Sequence, residues 1–192
     1  NSRTLGGNVM KTYFKIIEAP YDKDKYISIK LPKSIKSIGN FAFKDCNHLR
    51  QVEFQEGITE IGSYAFQNCT ALTNVHLSDN ISVLSDCLFV GCNKLETVNF
   101  PSNMTKIGSS VFSGCSALNI PDLVVQNTVT SIGSDAFNGC SKIRSITVPN
   151  SVTSIGNGAF KGTNPTKVTL PFIGYSKTAT GNTRIFGFVF GK

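Results

Sequence analysis

At 192 residues, 40% hydrophobic and with a mean hydropathy of −0.01, the chain has the composition of a folded, soluble protein, and its apolar runs of a few residues are too short to insert across a bilayer. The net charge of +7 is unevenly placed: residues 1–50 carry ten Lys/Arg against four acids, residues 51–140 two against eight, and residues 141–192 seven against none. Two basic ends around an acidic middle exclude the continuous basic face that tracks a phosphate backbone, so no nucleic-acid partner is expected. Asn1 is not an initiator methionine, so the chain reads as a mature or excised piece, and the missing signal peptide says nothing about export.

In chain order, Val9, Met10, Tyr13, Phe14, Ile16 and Ile17 recur at helix-like spacing and stop at Pro20. They predict an amphipathic N-terminal cap over residues 1–25, although Tyr13 to Ile17 fits a strand equally well. From residue 26 to residue 170 the chain repeats itself. Ile38-Gly39, Phe43, Cys46 and Leu49 return 23 residues later as Ile61-Gly62, Phe66, Cys69 and Leu72. Leu84-Ser85, Phe89, Cys92 and Leu95 follow, then Ile107-Gly108, Phe112, Cys115 and Leu118. After a two-residue slip near Asn119–Asp122 come Ile132-Gly133, Phe137, Cys140 and Ile143, then Ile155-Gly156 and Phe160. Self-similarity at this period marks a solenoid of about six to seven coils, with no single central core.

Each coil opens on an alternating stretch: Ile29/Leu31, Val52/Phe54, Val75/Leu77, Val98/Phe100, Ile146/Val148 and Val168/Leu170. Period two with β-branched residues predicts a short half-buried strand. Because the unit repeats with one hand, the strands must lie parallel, about 4.8 Å apart, in a right-handed winding. A second apolar pair, from Ile35/Ile38 to Val152/Ile155, belongs on the opposite wall. The glycine after it either takes a backbone conformation closed to other residues or lets a neighbouring coil approach. Ser85 breaks that column, and the same coil has Leu88 for Ala and an added Cys87, so the third coil should be the least regular. The phenylalanine column fills the interior with stacked rings. Past the last strand, residues 171–192 form a C-terminal cap or the start of a following segment, with Phe186, Phe188 and Phe190 alternating like a strand.

The run Leu31-Pro32 … Ile38-Gly39-Asn40-Phe41-Ala42-Phe43-Lys44-Asp45-Cys46, repeated as Val148-Pro149 … Ile155-Gly156-Asn157-Gly158-Ala159-Phe160, resembles the BspA-like leucine-rich repeats. The resemblance covers about Tyr26 to Pro171, with Ser85 for Gly, Thr163 for Cys and the slip near Asn119–Asp122 as departures. It implies an α/β-type leucine-rich-repeat solenoid, right-handed, with a parallel β-strand wall, mostly β and loop with little helix. It also implies a bacterial protein, secreted or on the cell surface, used for adhesion or host-protein binding, and it supplies no catalytic residues.

Five cysteines share one column: Cys46, Cys69, Cys92, Cys115 and Cys140. In a parallel in-register stack their Cβ atoms stay about 4.8 Å apart, beyond the usual disulfide reach, so buried free thiols are expected. Cys87 is the more exposed exception. Cys46-Asn47-His48 is the one local Cys/His pairing, and metal-ligand spacing is missing, so no metal or cofactor is expected. Two histidines on different coils and no G-x-S-x-G give a hydrolytic triad no support, and Gly156-Asn157-Gly158 has the wrong spacing for a phosphate loop. Asn68-Cys69-Thr70, Asn80-Ile81-Ser82 and Asn103-Met104-Thr105 fit the glycosylation pattern, which matters only in a eukaryotic source.

What varies is the outward set on the strand wall. One column reads Lys30, Glu53, His76, Asn99, Val124, Thr147 and Thr169, and the next reads Ser28, Gln51, Asn74, Thr97, Asp122, Ser145 and Lys167. The expected function is therefore a non-enzymatic adhesion or protein–protein interaction module using a concave strand wall. Lys30, Glu53, His76, Asn99, Thr147 and Thr169 are its candidate partner-binding residues, and the partner is a protein, with a host extracellular protein as one candidate. A carbohydrate-binding surface module is the alternative, although exposed aromatic platforms are not evident. A third reading makes the chain the repeat region of a larger surface enzyme.

Overall fold

The computed structural model describes residues 15–16, 27–172, 176, 178 and 186–191. The coils stack as a parallel β-solenoid with two strand-bearing walls. Along the first lie β2 (Ser28–Lys30), β4 (Gln51–Glu53), β6 (Asn74–His76), β8 (Thr97–Val98), β10 (Asp122–Val124), β12 (Ser145–Thr147) and β14 (Lys167–Thr169). Along the second lie β1 (Lys15–Ile16), β3 (Ser37–Ile38), β5 (Glu60–Ile61), β7 (Val83–Leu84), β9 (Lys106–Ile107), β11 (Ser131–Ile132) and β13 (Ser154–Ile155). Every pairing between these strands is parallel and in register, Ile29 on Val52 on Val75 on Val98 along the first wall and Ile107 on Ile132 on Ile155 along the second, and one isolated antiparallel bridge joins Ser154 to Ser176. The second wall carries strands that the alternating pattern did not predict.

The interior follows the columns. Phe43, Phe66, Phe89, Phe112, Phe137 and Phe160 are fully buried and stack coil on coil, with ring centroids 5.1–5.8 Å apart. The Ile/Leu/Val columns of both walls close over them. Of the two roles open to the repeat glycine, close approach is the one used. A Cβ on Gly108 would sit 2.7 Å from the Leu84 carbonyl oxygen, and one on Gly133 or Gly156 would meet the backbone of Ser109 or Ser134 inside 3.0 Å. The left-handed backbone lies elsewhere, two residues past that glycine (Phe41, Tyr64, Cys87, Ser110, Asp135) and just before the cysteine (Asp45, Asn68, Gly91, Gly114, Gly139). In this turn edge alternate N–H groups donate to the next coil, as Phe41 to Ser63, Phe43 to Ala65 and Asp45 to Gln67.

Two of the sequence departures, Ser85 and the slip near Asn119–Asp122, each interrupt a ladder. On the second wall β5 and β7 are not paired. In neighbouring coils the glycine N–H donates across the step, Gly62 to Ile38 and Gly108 to Leu84, both at 2.8 Å, whereas in the third coil the Ser85 hydroxyl takes the Ile61 carbonyl. The third coil is thus irregular on one wall, while its turn edge stays bonded through Cys87 N–H to Ser109 O at 2.7 Å. On the first wall the two extra residues before Leu123 separate β8 from β10. Asn119 N–H still reaches Glu96 O at 2.9 Å, and Gln126 Nε2 spans the step to Phe100 O at 3.1 Å.

The amphipathic cap expected over residues 1–25 lies outside the described residues except for Lys15–Ile16, which form β1 against β3. At the other end Phe186–Val189 form a one-turn helix, α1, where alternation suggested a strand. Consecutive carbonyls point one way in a helical turn and opposite ways in a strand. Here the Phe188 and Val189 carbonyls accept from Gly158 and Phe160 N–H, each at 2.8 Å, while Val189 is buried. The Phe190 ring meets Phe160 at 6.0 Å. Among the described residues α1 is the one helix.

Candidate functional site

Strand alternation decides what the first wall shows to solvent. With Ile29, Val52 and Val75 turned inward and at most 4% exposed, Lys30, Glu53 and His76 must turn outward. They lie side by side in register, all exposed. Lys30 Nζ meets Glu53 Oε1 at 2.8 Å, and Gln55 Nε2 donates to the same oxygen at 3.1 Å. The hydrogen bond from Lys30 holds the Glu53 carboxyl below its ordinary range, so this end of the wall presents a fixed ion pair beside an imidazole. Thr147 and Thr169 are paired in register on β12 and β14, Thr147 half-buried and Thr169 exposed.

Asn99 differs. Its Oδ1 accepts from Leu77 N–H at 2.6 Å, and its Nδ2 donates to Leu77 O at 3.0 Å. Leu31 and Val125, which hold the same place in their coils, donate instead to the backbone of the next coil, Glu53 O and Thr147 O. Asn99 thus completes the ladder where β8 ends and helps to build the wall. In the neighbouring column the side chains bond coil to coil, Thr97 Oγ1 to Asn74 Oδ1 and Ser145 Oγ to Asp122 Oδ1, both at 2.6 Å.

A shallow depression of about 400 Å³ lies on this wall, rimmed by Gln51, Glu53, Asn74, His76, Thr97 and Asn99 over Val52, Phe54, Val75 and Val98. It brings Glu53, His76 and Asn99 together. Lys30 stands one strand beyond its rim, and Thr147 and Thr169 lie past the step between β8 and β10. A second depression of about 540 Å³ on the other wall, lined among others by Asn40, Glu60, Asn80 and Ser85, was not anticipated. Its sequence signal was Ser85, the one departure in the glycine column.

Two further features lie off the walls. On the turn edge Phe41, 50% exposed, stacks on Tyr64 at 5.0 Å with the Lys44 ammonium 5.7 Å from its ring centre. This aromatic pair, with Phe41 exposed and Tyr64 half-buried, is one the sequence reading did not find. A hydrogen bond with Cys87 pushes the Tyr64 phenol up. Inside, the described cysteines are all free thiols, buried in the column and half-buried at Cys87. The column does more than fill space. Cys69, Cys92, Cys115 and Cys140 each donate Sγ–H to the carbonyl of a phenylalanine (Phe43, Phe66, Phe89 and Phe112) at 3.0–3.3 Å. Burial pushes the Cys140 thiol up to about 12 and Cys115 well above its usual value, and contact with the Cys92 thiol followed by burial raises Cys69. Among the described residues no group of three metal-ligating side chains forms, and no helix is long and apolar enough to cross a membrane.

In-register coils, a file of phenylalanines and a parallel strand wall define a leucine-rich-repeat solenoid, a scaffold class suited to protein–protein interaction. Six copies of the BspA type leucine rich repeat region match residues 15–121 and 116–181, and the chain belongs to that family. A leucine-rich repeat protein from Treponema pallidum, TpLRR, superposes with a TM-score of 0.70 at 27% identity, covering 92% of this chain and 85% of its own. Leucine-rich repeat proteins of Eubacterium ventriosum (TM-score 0.59, 21% identity, 82% of this chain and 47% of that one) and Bacteroides ovatus (0.57, 21%, 72% and 50%) share the fold. No curated protein matches the sequence.

Proposed function

We propose that the chain is a non-catalytic adhesion module of a secreted or cell-surface protein, and that it binds a protein partner across the first strand wall. The observation that carries this is the contrast between the two sides of one set of strands. Inward residues are uniformly apolar, while the outward neighbours run from an ion pair through histidine and valine to threonine, in register on either side of the step between β8 and β10. A rigid frame with chemically varied, exposed positions suits recognition, and the depression over β4, β6 and β8 supplies relief for a partner to fill. Family membership supports the reading.

The test is capture of the purified chain on a panel of immobilised extracellular-matrix proteins. Glu53→Lys with His76→Asp should weaken the strongest interaction at least tenfold, with the melting temperature held within a few degrees because both side chains are exposed. Asn99 is left intact, since removing it would disturb the wall through Leu77. Unchanged capture by the double variant would refute the assignment to this face.

A further inference from the structure

We propose that the energetic centre of this wall is the step between β8 and β10, and that it receives a segment of the partner carrying an apolar side chain flanked by lysine or arginine. The inference rests on the strand-wall reading above, and it adds where contact is anchored and what chemistry binds. Val98 and Phe100 occupy inward columns whose other members in the first three coils are at most 9% exposed, yet both are partly exposed in the middle of the stack. In Val168 and Leu170 the same partial exposure comes with the last coil. At Val98 and Phe100 it comes from the extra residues that part β8 from β10 and remove the covering strand. Val124, in the outward column of the first strand past the step, is 62% exposed. A single exposed valine is ordinary surface. Here apolar groups from two adjoining coils are uncovered together, next to the depression whose floor includes Val98.

The charge around them selects the flanks of the ligand. Glu96, just before β8, and Asp122, at the start of β10, flank the step and are exposed, with Glu53 two strands away in β4. Lys30, on the first coil's strand, is engaged by Glu53. Of the basic side chains near the step, Lys94 is exposed, Arg144 beside Pro121 is held by the Ser141 and Asn164 carbonyls, and Lys106 lies on the opposite wall in β9. A desolvated apolar anchor ringed by complementary charge is the usual make-up of a binding hot spot.

The probe is a fluorescein-labelled heptapeptide alternating lysine with valine, titrated at low salt into the intact chain, with a glutamate–valine peptide beside it. Binding of the lysine peptide on the order of 100 µM is expected, at least tenfold weaker for the glutamate peptide. Val124→Asp should weaken it at least tenfold. Deleting Ile120 and Pro121, which restores the 23-residue spacing, should do the same while keeping or raising the melting temperature. If that deletion does not fold, Val124→Asp decides alone. Binding that survives Val124→Asp but is lost in Glu53→Lys/His76→Asp overturns the step as the anchor and leaves the wall reading standing. Equal binding of both peptides, or of neither, overturns the proposed ligand chemistry, while the capture panel still judges the wall.

Discussion

Phe112→Ala should destabilise the protein by about 3–5 kcal/mol, more than any surface substitution on either wall. Phe112 is fully buried and stacks on Phe89 at 5.7 Å and Phe137 at 5.4 Å, with the Phe100 ring edge-on at 5.8 Å. Truncation leaves a cavity that the flanking coils cannot fill, because their spacing is held by backbone bonds on the second wall and on the turn edge. Each lost aromatic contact adds about 0.5–1.5 kcal/mol to the area term. In a one-dimensional array the coupling between neighbours holds the ends together, so urea unfolding should also broaden or split as the two halves uncouple. Phe41→Ala, at the exposed member of the turn-edge pair, is the control and should cost less than about 1 kcal/mol. A loss for Phe112→Ala as small as the control's would mean that the rings do not form a continuous file.

The second large effect is alkaline. Cys140, Cys115 and Cys69 have their thiols raised in the folded state, Cys140 to about 12, whereas an unfolded cysteine ionises near about 8.5. Below that value the thiols are neutral in both states, and their contribution to stability is fully present. Above it the unfolded chain releases protons that the folded chain keeps, so stability falls as pH rises, until the folded thiols ionise in turn. Each thiol gives a slope of about 1.4 kcal/mol per pH unit. Cys140 alone removes about 2 kcal/mol between pH 8.5 and pH 10, and Cys115 and Cys69 act in the same direction. Urea midpoints measured across that range should fall steeply, and Cys140→Ala should lower the slope by about a third. A flat profile would mean that the thiols are solvated, contrary to their burial.

What could be read in advance depended on how many residues each feature spans. The first wall was legible because pairs such as Val52/Phe54 and Val75/Leu77 alternate, and alternation also marked Lys30, Glu53 and His76 as outward. The second wall's strands were not, since two residues such as Ser37–Ile38 cannot display a period of two. The turn before each cysteine left a signal in Asp45, Asn68 and Gly91, which tolerate left-handed backbone. The turn at Phe41, Tyr64 and Cys87 left none, because neighbouring coils impose that conformation on residues that do not favour it. Ser85 and the slip near Asn119–Asp122 were visible as departures. That Ser85 would make the third coil irregular was legible too, but the form of the disturbance was not: a parted ladder on each wall, Asn99 turned back to Leu77, and Val98 with Phe100 uncovered. These follow from where a missing bond falls in three dimensions. The cysteine column was recognised as buried, but its bonds to the phenylalanine carbonyls require the coil to be closed.

Hydrogen–deuterium exchange with and without the partner recovered from the matrix-protein panel tests the central claim most directly, because the two walls alternate along the chain and fall in separable peptides. Slowed exchange confined to β4, β6, β8 and β10 is the predicted result. Protection confined to β5, β7 and β9, with the first wall exchanging as in the free protein, would contradict it.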